Sequence, residues 1–192
     1  MKELFSALQS IGDLPDSEIK RFVGLAKERR IATGSYFIQE GSKTNRLGFV
    51  KRGLFQNTYL TEKGKECAFA FTTENEFIYE CHAMRTFDVA HYSVQAIEDS
   101  IVLEVDYKAW VAPFVDSAWW NKILLDLTTV ESSAKSGREI RLMSITGRER
   151  YAHFRDHYSH LEDRIKQHII AAYLGISPVS LSRIRREMGL IL

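Results

Sequence analysis

The chain has 192 residues, of which 45% are hydrophobic and 27% charged, with a formal net charge of +1 at pH 7. These are the proportions of a globular chain with one large or two small cores, and they exclude a disordered polyelectrolyte or a general polycation. No stretch approaches the roughly eighteen apolar residues of a membrane span, and Met1-Lys2-Glu3-Leu4-Phe5 lacks a signal-peptide core, so a cytoplasmic location with no membrane partner is expected.

Lys2 to Arg30 follows a helical pattern. Leu4, Phe5, Leu8 and Ile11 precede Gly12, and Ile19, Phe22, Val23, Leu25 and Ala26 follow Asp16 or Ser17 as a cap. From Ile31 to about Val105 the period shortens, and Gly34, Gly41, Gly48, Gly53 and Gly64 punctuate runs rich in Tyr, Phe, Val, Ile and Thr. That pattern predicts a small antiparallel β barrel or roll. Its clearest hairpin pairs Leu54 to Leu60 with Glu66 to Thr72 across Thr61-Glu62-Lys63-Gly64-Lys65, a connection short enough to require antiparallel neighbours.

Ala118 to about Ser144 reads as one long helix with Trp120, Ile123, Leu124, Leu127, Val130 and Ala134 on a stripe close to a coiled-coil seam. A second copy of the chain is the expected partner of that stripe, and packing against the chain's own β domain is the alternative. Gly137 to Gly147 is the candidate hinge, and Thr146-Gly147-Arg148-Glu149 a candidate capping box ahead of Tyr151 and Phe154.

The last quarter predicts two short helices around a tight turn. Ile165, Ile169, Ala172 and Tyr173 recur at helical spacing, and Gly175 in Leu174-Gly175-Ile176 allows the left-handed conformation that stops a helix. Ser177 can cap a second helix beginning at Pro178, which loses no hydrogen bond there. That helix is expected to bury Leu181 and Ile184 and to turn Ser180, Arg183, Arg185 and Arg186 outward. From Ile165 to Gly189 the basic residues Lys166, Arg183, Arg185 and Arg186 face a single acid, Glu187, so this end is positive although the whole chain is not. Such a pair of helices is what a helix-turn-helix places in a DNA major groove.

The order of these elements, together with five segments, resembles the Crp/Fnr family of bacterial transcription regulators. The segments are Phe49 to Gly53, Glu62 to Glu66, Phe77 to Glu80, Gln95 to Ser100 and Leu174 to Ile184. The resemblance covers nearly the whole chain and implies an α+β fold. Residues 1–114 would be an antiparallel, jelly-roll-like β roll of the cyclic-nucleotide-binding type with flanking helices, 115–145 a long dimerisation helix and hinge, and 146–192 an all-α helix-turn-helix domain. Many family members continue into a β wing. Here the sequence stops at Gly189-Leu190-Ile191-Leu192, so a wing that is absent or a stub is expected, with a shallower salt dependence of DNA binding.

In family members that bind cyclic AMP, a glutamate holds the ribose hydroxyl and an Arg-Ser pair ten residues later holds the phosphate. Glu80 stands at the glutamate position, but an ungapped count places Ala90 and His91 at the Arg-Ser pair, and Tyr79 replaces a glycine. Without the guanidinium a buried phosphate would lack its charge partner. No cofactor is therefore expected, and cyclic nucleotide least of all. A filled or vestigial pocket is favoured over an open one for another effector, with Phe77, Tyr79, Glu80, Arg85, His91 and Tyr92, and Phe87 beside them, as the candidate lining.

For DNA, the resemblance implies base reading from the start of the second helix. Arg183 matches one of the family's reading positions, with Ser177, Val179 and Ser180 alongside, whereas Pro178 and Val179 replace the other two readers; Lys166, Arg185 and Arg186 are the candidate phosphate contacts. The expected protein is a homodimeric, sequence-specific regulator of double-stranded DNA, and activation would add RNA polymerase as a partner through a surface the sequence does not locate. The alternative is a ligand sensor acting through protein contacts, with the helix-turn-helix kept as a packing module.

No enzyme is expected. GxGxxG, P-loop and nucleophile-elbow motifs are lacking, and His153 and His157 share helical spacing without the intervening glutamate of HExxH. Cys67 and Cys81 have no CxxC spacing and are expected to be buried thiols, with no metal site.

Overall fold

The computed structural model describes residues 1–11, 14–62, 64, 66–86, 88–109 and 117–191. Lys63, Lys65 and Phe87 of the sequence motifs lie outside the described residues, and so does the side chain of Ala134. The chain divides into two compact units, Met1–Tyr59 with Phe71–Ser132, and Leu60–Ala70 with Ser133–Leu192.

The first unit opens with α1 (Lys2–Ile11) and α2 (Asp16–Leu25). Pro15, rather than Asp16 or Ser17, stands at the N-cap of α2, and its backbone carbonyl receives the first amides. The helical pattern stops sooner than expected, because Lys27–Ile31 is a strand, β1, whose residues pair with Glu104 through Ser100. The segment's single β-branched residue, Ile31, does not explain this; the ladder to another strand overrides a segment whose charged residues suit a helix equally well.

Seven further strands follow: β2 (Tyr36–Ile38), β3 (Arg46–Arg52), β4 (Phe55–Leu60), β5 (Glu66–Thr72), β6 (Phe77–Ile78), β7 (Ser93–Ala96) and β8 (Ser100–Asp106). Together with β1 they form, among the described residues, two four-stranded sheets, ordered β1-β8-β3-β6 and β2-β7-β4-β5. The antiparallel pairings of β8 with β1 and β3, and of β7 with β2 and β4, make this the expected roll. Gly53 shows why a glycine is needed where the chain passes from β3 to β4. Its φ is +121°, and a Cβ there would collide with Ser100.

One helix of 27 residues, α4 (Ala118–Ser144), follows the short α3 (Cys81–Thr86), and its bounds match the sequence reading. The residues expected to meet a second copy need correction. Trp120, Ile123 and Leu127 are buried in the first unit's own core with Leu4, Leu8, Ile19, Phe22 and Leu103, and Trp120 stacks on Phe22 with ring centroids 4.8 Å apart. Leu124 packs partly buried against the same cluster. Trp120, Ile123 and Leu127 are spent within the chain and are not free to meet a second copy. A sequence stripe records which residues avoid water, not which surface covers them. Val130, by contrast, is exposed, as are Trp119 and Leu125.

The second unit contains α5 (Gly147–Tyr158), a 3-10 turn (Ser159–Arg164), α6 (Gln167–Leu174) and α7 (Pro178–Glu187). The capping box forms as read. The Thr146 hydroxyl accepts from the Glu149 amide at 3.3 Å, and the Glu149 carboxylate accepts from the Thr146 amide at 2.7 Å. The core of this unit includes Tyr151, Phe154, Leu161, Ile165, Ile170, Ala171, Leu174, Leu181 and Ile184. On α6 the buried face is Ile170, Ala171 and Leu174, one position away from the Ile169, Ala172 and Tyr173 of the sequence reading, because almost every residue of this short helix is apolar and periodicity does not fix its rotation.

Candidate nucleic-acid interface

The turn between α6 and α7 is built from two local signals. Gly175 caps α6 in the left-handed region at φ +66°, its amide bonded to the carbonyls of Ala171 and Ala172. Ser177 then caps α7, its Oγ accepting from the Ser180 amide at 3.1 Å, with Pro178 in the first turn. The two Ser hydroxyls also lie 2.9 Å apart.

With Leu181 and Ile184 buried, the opposite side of α7 faces solvent. Val179 is 80% exposed, and Arg183 is exposed with only a loose pairing to Glu187 at 3.8 Å. Ser177 and Arg186 are exposed too, Ser180 is half-buried, and Lys166 stands exposed at the N-cap of α6. The start of the second helix therefore presents a hydroxyl pair, an aliphatic side chain and a guanidinium to solvent. Hydroxyl, aliphatic and guanidinium groups are the chemical types that meet base edges and phosphate oxygens in protein–DNA interfaces.

Arg185 departs from the expectation of an outward phosphate contact. Its side chain is 16% exposed, and its Nη2 lies 3.7 Å from Glu162 Oε1. Glu162 also pairs with Arg155 Nε at 3.3 Å and accepts the Tyr151 hydroxyl. Burial, with the hydrogen bond to that carboxylate, pushes the Tyr151 phenol up to about 12. Arg185 follows Ile184 on the helix and so sits at the edge of the buried stripe, where its long side chain is drawn under the domain by an acid more than twenty residues earlier. The sequence reading missed Glu162, since nothing local marks an acid as the partner of a distant arginine.

The segment considered as an effector pocket lies in the first unit and is tied down. Glu80 is buried; its Oε2 accepts from the Ala83 amide at 2.6 Å at the start of α3, and its Oε1 lies 4.0 Å from His91 Nδ1. The Tyr92 hydroxyl donates to the Tyr79 carbonyl at 2.8 Å with a Glu131 oxygen 3.3 Å away, and the Tyr79 hydroxyl donates to the Leu127 carbonyl at 3.0 Å. Burial raises both phenols' pKa values. Cys81 Sγ lies 3.5 Å from Thr128 Oγ1, its thiol pushed up to about 12 by burial, so it stays protonated and unreactive at neutral pH. Cys67 is only half-buried, in contrast to expectation.

Phe77 meets Phe49 edge-on, with centroids 5.2 Å apart. Ala90 is buried and brings no charge, while His91 is exposed and stacked on His82 at 4.3 Å. Arg85 is exposed at the end of α3. The aromatic residues thus pack and bond to α4 within the unit. Among the described residues no group of three or more His, Cys, Asp or Glu side chains is placed to hold a metal ion, and no helix is long and apolar enough to cross a membrane.

Residues 28–112 match the family model of the cyclic nucleotide-binding domain. Among solved structures the chain is similar to FixK2 from Bradyrhizobium japonicum, at 17% identity over 85% of this chain and 84% of that one, with a TM-score of 0.75. It is also similar to a protein assigned to the crp/fnr family of transcriptional regulators from Eubacterium rectale, at 18% identity over 93% and 85%, TM-score 0.73. A third is the c-di-GMP responsive global regulator CLP of Xanthomonas campestris, at 14% identity over 91% and 92%, TM-score 0.69. No curated relative matches the chain.

Proposed function

From a chain whose residues 28–112 match the family model of the cyclic nucleotide-binding domain, and whose fold is similar to that of the Crp/Fnr-type regulators, we propose a homodimeric, sequence-specific DNA-binding transcription regulator. The observation that carries this reading is the first half of α7. Leu181 and Ile184 are buried behind it while Val179 and Arg183 stand out into solvent, which is the division of labour of a recognition helix. Arg183 would make a bidentate contact to a guanine, Val179 would meet a thymine methyl, and Ser177 or Ser180 a base or phosphate. Lys166 and Arg186 would hold phosphates and so set register without conveying sequence.

Dimerisation would use the solvent side of α4, where Leu125 and Val130 are exposed. A two-fold dimer implies an imperfect palindrome with half-sites about one helical turn apart. The regulator would act without cyclic AMP. Ala90 supplies no guanidinium, and the Glu80 carboxylate that would meet a ribose is engaged by the Ala83 amide.

The test is selection of genomic fragments by purified protein without added ligand, repeated with Arg183→Ala and across a salt series. A palindromic motif that relaxes at one base pair in the variant is the expected outcome. Enrichment that is identical for the variant, or no motif at any salt concentration, would instead support a sensor that works through protein contacts.

A further inference from the structure

The second unit contains a cleft of about 480 Å³, its open mouth included, between the end of α4, α5 and α6. Three arginines, Arg138, Arg141 and Arg150, and two histidines, His153 and His157, line it, and no acidic side chain does. Phe154, Tyr158 and Tyr173 form its aromatic floor, with the Tyr158 and Tyr173 rings edge to face at 6.0 Å.

The arginines of this cleft meet carbonyls and the Tyr173 ring, over which the Arg138 guanidinium lies 5.6 Å from the centroid, but no carboxylate among the described residues. Arg138 is 9% exposed; its Nη2 donates to the Ala68 and Tyr173 carbonyls at 3.0 and 3.1 Å, while its Nε is buried without a partner. Arg150 donates to the carbonyls of Leu174 at 2.8 Å and Ile145 at 2.6 Å. Carbonyls of β5 and of the ends of α4 and α6 satisfy donors and soften the charge, but they leave three guanidinium groups without a carboxylate among the described residues. A buried cation lacking a counter-charge is costly. An anion entering from solvent would remove that cost, and the low-polarity floor would strengthen the attraction.

We propose that this cleft is a binding site for a small, multiply charged anion of the phosphate-ester or pyrophosphate class. Guanidinium forks match phosphate oxygens in geometry and charge. Arg141 is the direct ligand, and Arg138, whose Nε is sealed from solvent, contributes its charge. His157 completes the mouth; its Nδ1 faces the His153 carbonyl at 2.9 Å and must donate there, which fixes the ring. Arg150 joins the cleft to the Leu174 carbonyl at the end of α6, one residue before the Gly175 turn. The site is independent of whether α7 reads DNA.

The experiment is calorimetric titration of the full chain with pyrophosphate against sodium chloride of matched ionic strength, with histidine imidazole resonances followed by NMR. Saturable binding that shifts the His153 and His157 signals is expected, at least tenfold weaker in Arg141→Gln and in Arg138→Gln, and unchanged in Arg148→Gln, an exposed control. Arg141 is only half-buried, so its variant folds even if Arg138→Gln does not. Binding no different from the salt control, or equal in wild type and Arg141→Gln, would overturn the proposal. So would a short DNA duplex that displaces pyrophosphate with the same dependence on Arg141, since the phosphate recognised would then be the DNA backbone.

Discussion

Arg185 Nη2 lies 3.7 Å from Glu162 Oε1 with both side chains largely covered, at 16% and 13% exposure. A covered pair broken from one side leaves a charge without compensation, which costs several kcal/mol when burial is complete and much less at the surface. Glu162 serves Arg155 and Tyr151 as well, so Glu162→Gln should cost about 2 kcal/mol, between those limits. Arg185→Ala should destabilise by a similar amount and leave the salt slope of DNA binding unchanged. Urea denaturation of the two variants and their double mutant measures the coupling; additive losses would show that the pair contributes nothing.

The exposed cations of the same unit should behave otherwise. The Arg183 to Glu187 pairing is loose and solvated, so Arg183 is free to swing toward a base. Arg183→Ala should cost about 1–3 kcal/mol on the preferred site and relax one position of the motif. Lys166→Ala should weaken all sequences alike and lower the salt slope by about one. Fluorescence anisotropy on the selected site and on single-base variants distinguishes the two patterns, and a uniform loss for Arg183→Ala would reassign it to phosphate.

Gly175 adopts φ +66°, and a Cβ there would stand 3.1 Å from Leu142 Cδ2. Gly175→Ala should therefore cost about 1–2 kcal/mol, the penalty of a left-handed conformation for an L side chain, with the close methyl adding to it. Gly175→Asn should be milder, since asparagine visits this region more readily. Thermal unfolding of the pair checks this, and equal stabilities for Ala and Gly would mean that the turn does not require its present conformation.

Much of this organisation was legible because it rests on local chemistry. The Thr146 and Glu149 capping box, the Gly175 stop, the Ser177 cap and the bounds of α4 all depend on residues a few positions apart. The bounds of the β4 and β5 hairpin were legible for the same reason. What the sequence hid is long-range. Trp120 was visibly apolar, but only the fold shows that Phe22 covers it instead of another chain. Arg185 was visibly basic, yet its inward turn depends on Glu162, and the three-arginine cleft assembles from helices whose relative placement no spacing rule predicts.

Alkaline pH should destabilise the chain through groups that are buried protonated. The Cys81 thiol and Tyr151 phenol ordinarily titrate near 9.0 and 10.0, and burial raises each to about 12. The folded state therefore holds these protons more tightly than the unfolded state. The resulting stability is intact below pH 9 and falls as pH rises from there toward 12. Unfolding midpoints between pH 8 and 11.5 should show this decline, and it should be smaller in Cys81→Ala. At pH 8 an alkylating reagent should label Cys67 before Cys81, because Cys67 is the less buried thiol; faster labelling of Cys81 would contradict its buried setting.

The dimer surface is open to a clean test because α4 separates its buried and exposed residues. Trp120→Ala would empty a position in the core and cost about 3–5 kcal/mol, so loss of the dimer in that variant would say little about the interface. Leu125 and Val130 are 65% and 64% exposed, and replacing either by aspartate should change the unfolding free energy of the isolated chain by no more than about 0.5 kcal/mol. In a dimer formed through this face the same change would bury an unpaired carboxylate. Leu125→Asp with Val130→Asp should therefore shift the protein from dimer to monomer in sedimentation equilibrium while its circular dichroism stays native. DNA affinity should fall with it, since one half-site holds far fewer phosphate contacts than two. A double variant that remains dimeric would move the interface away from this side of α4, and a wild-type monomer that still binds a palindrome would place pairing on the DNA itself.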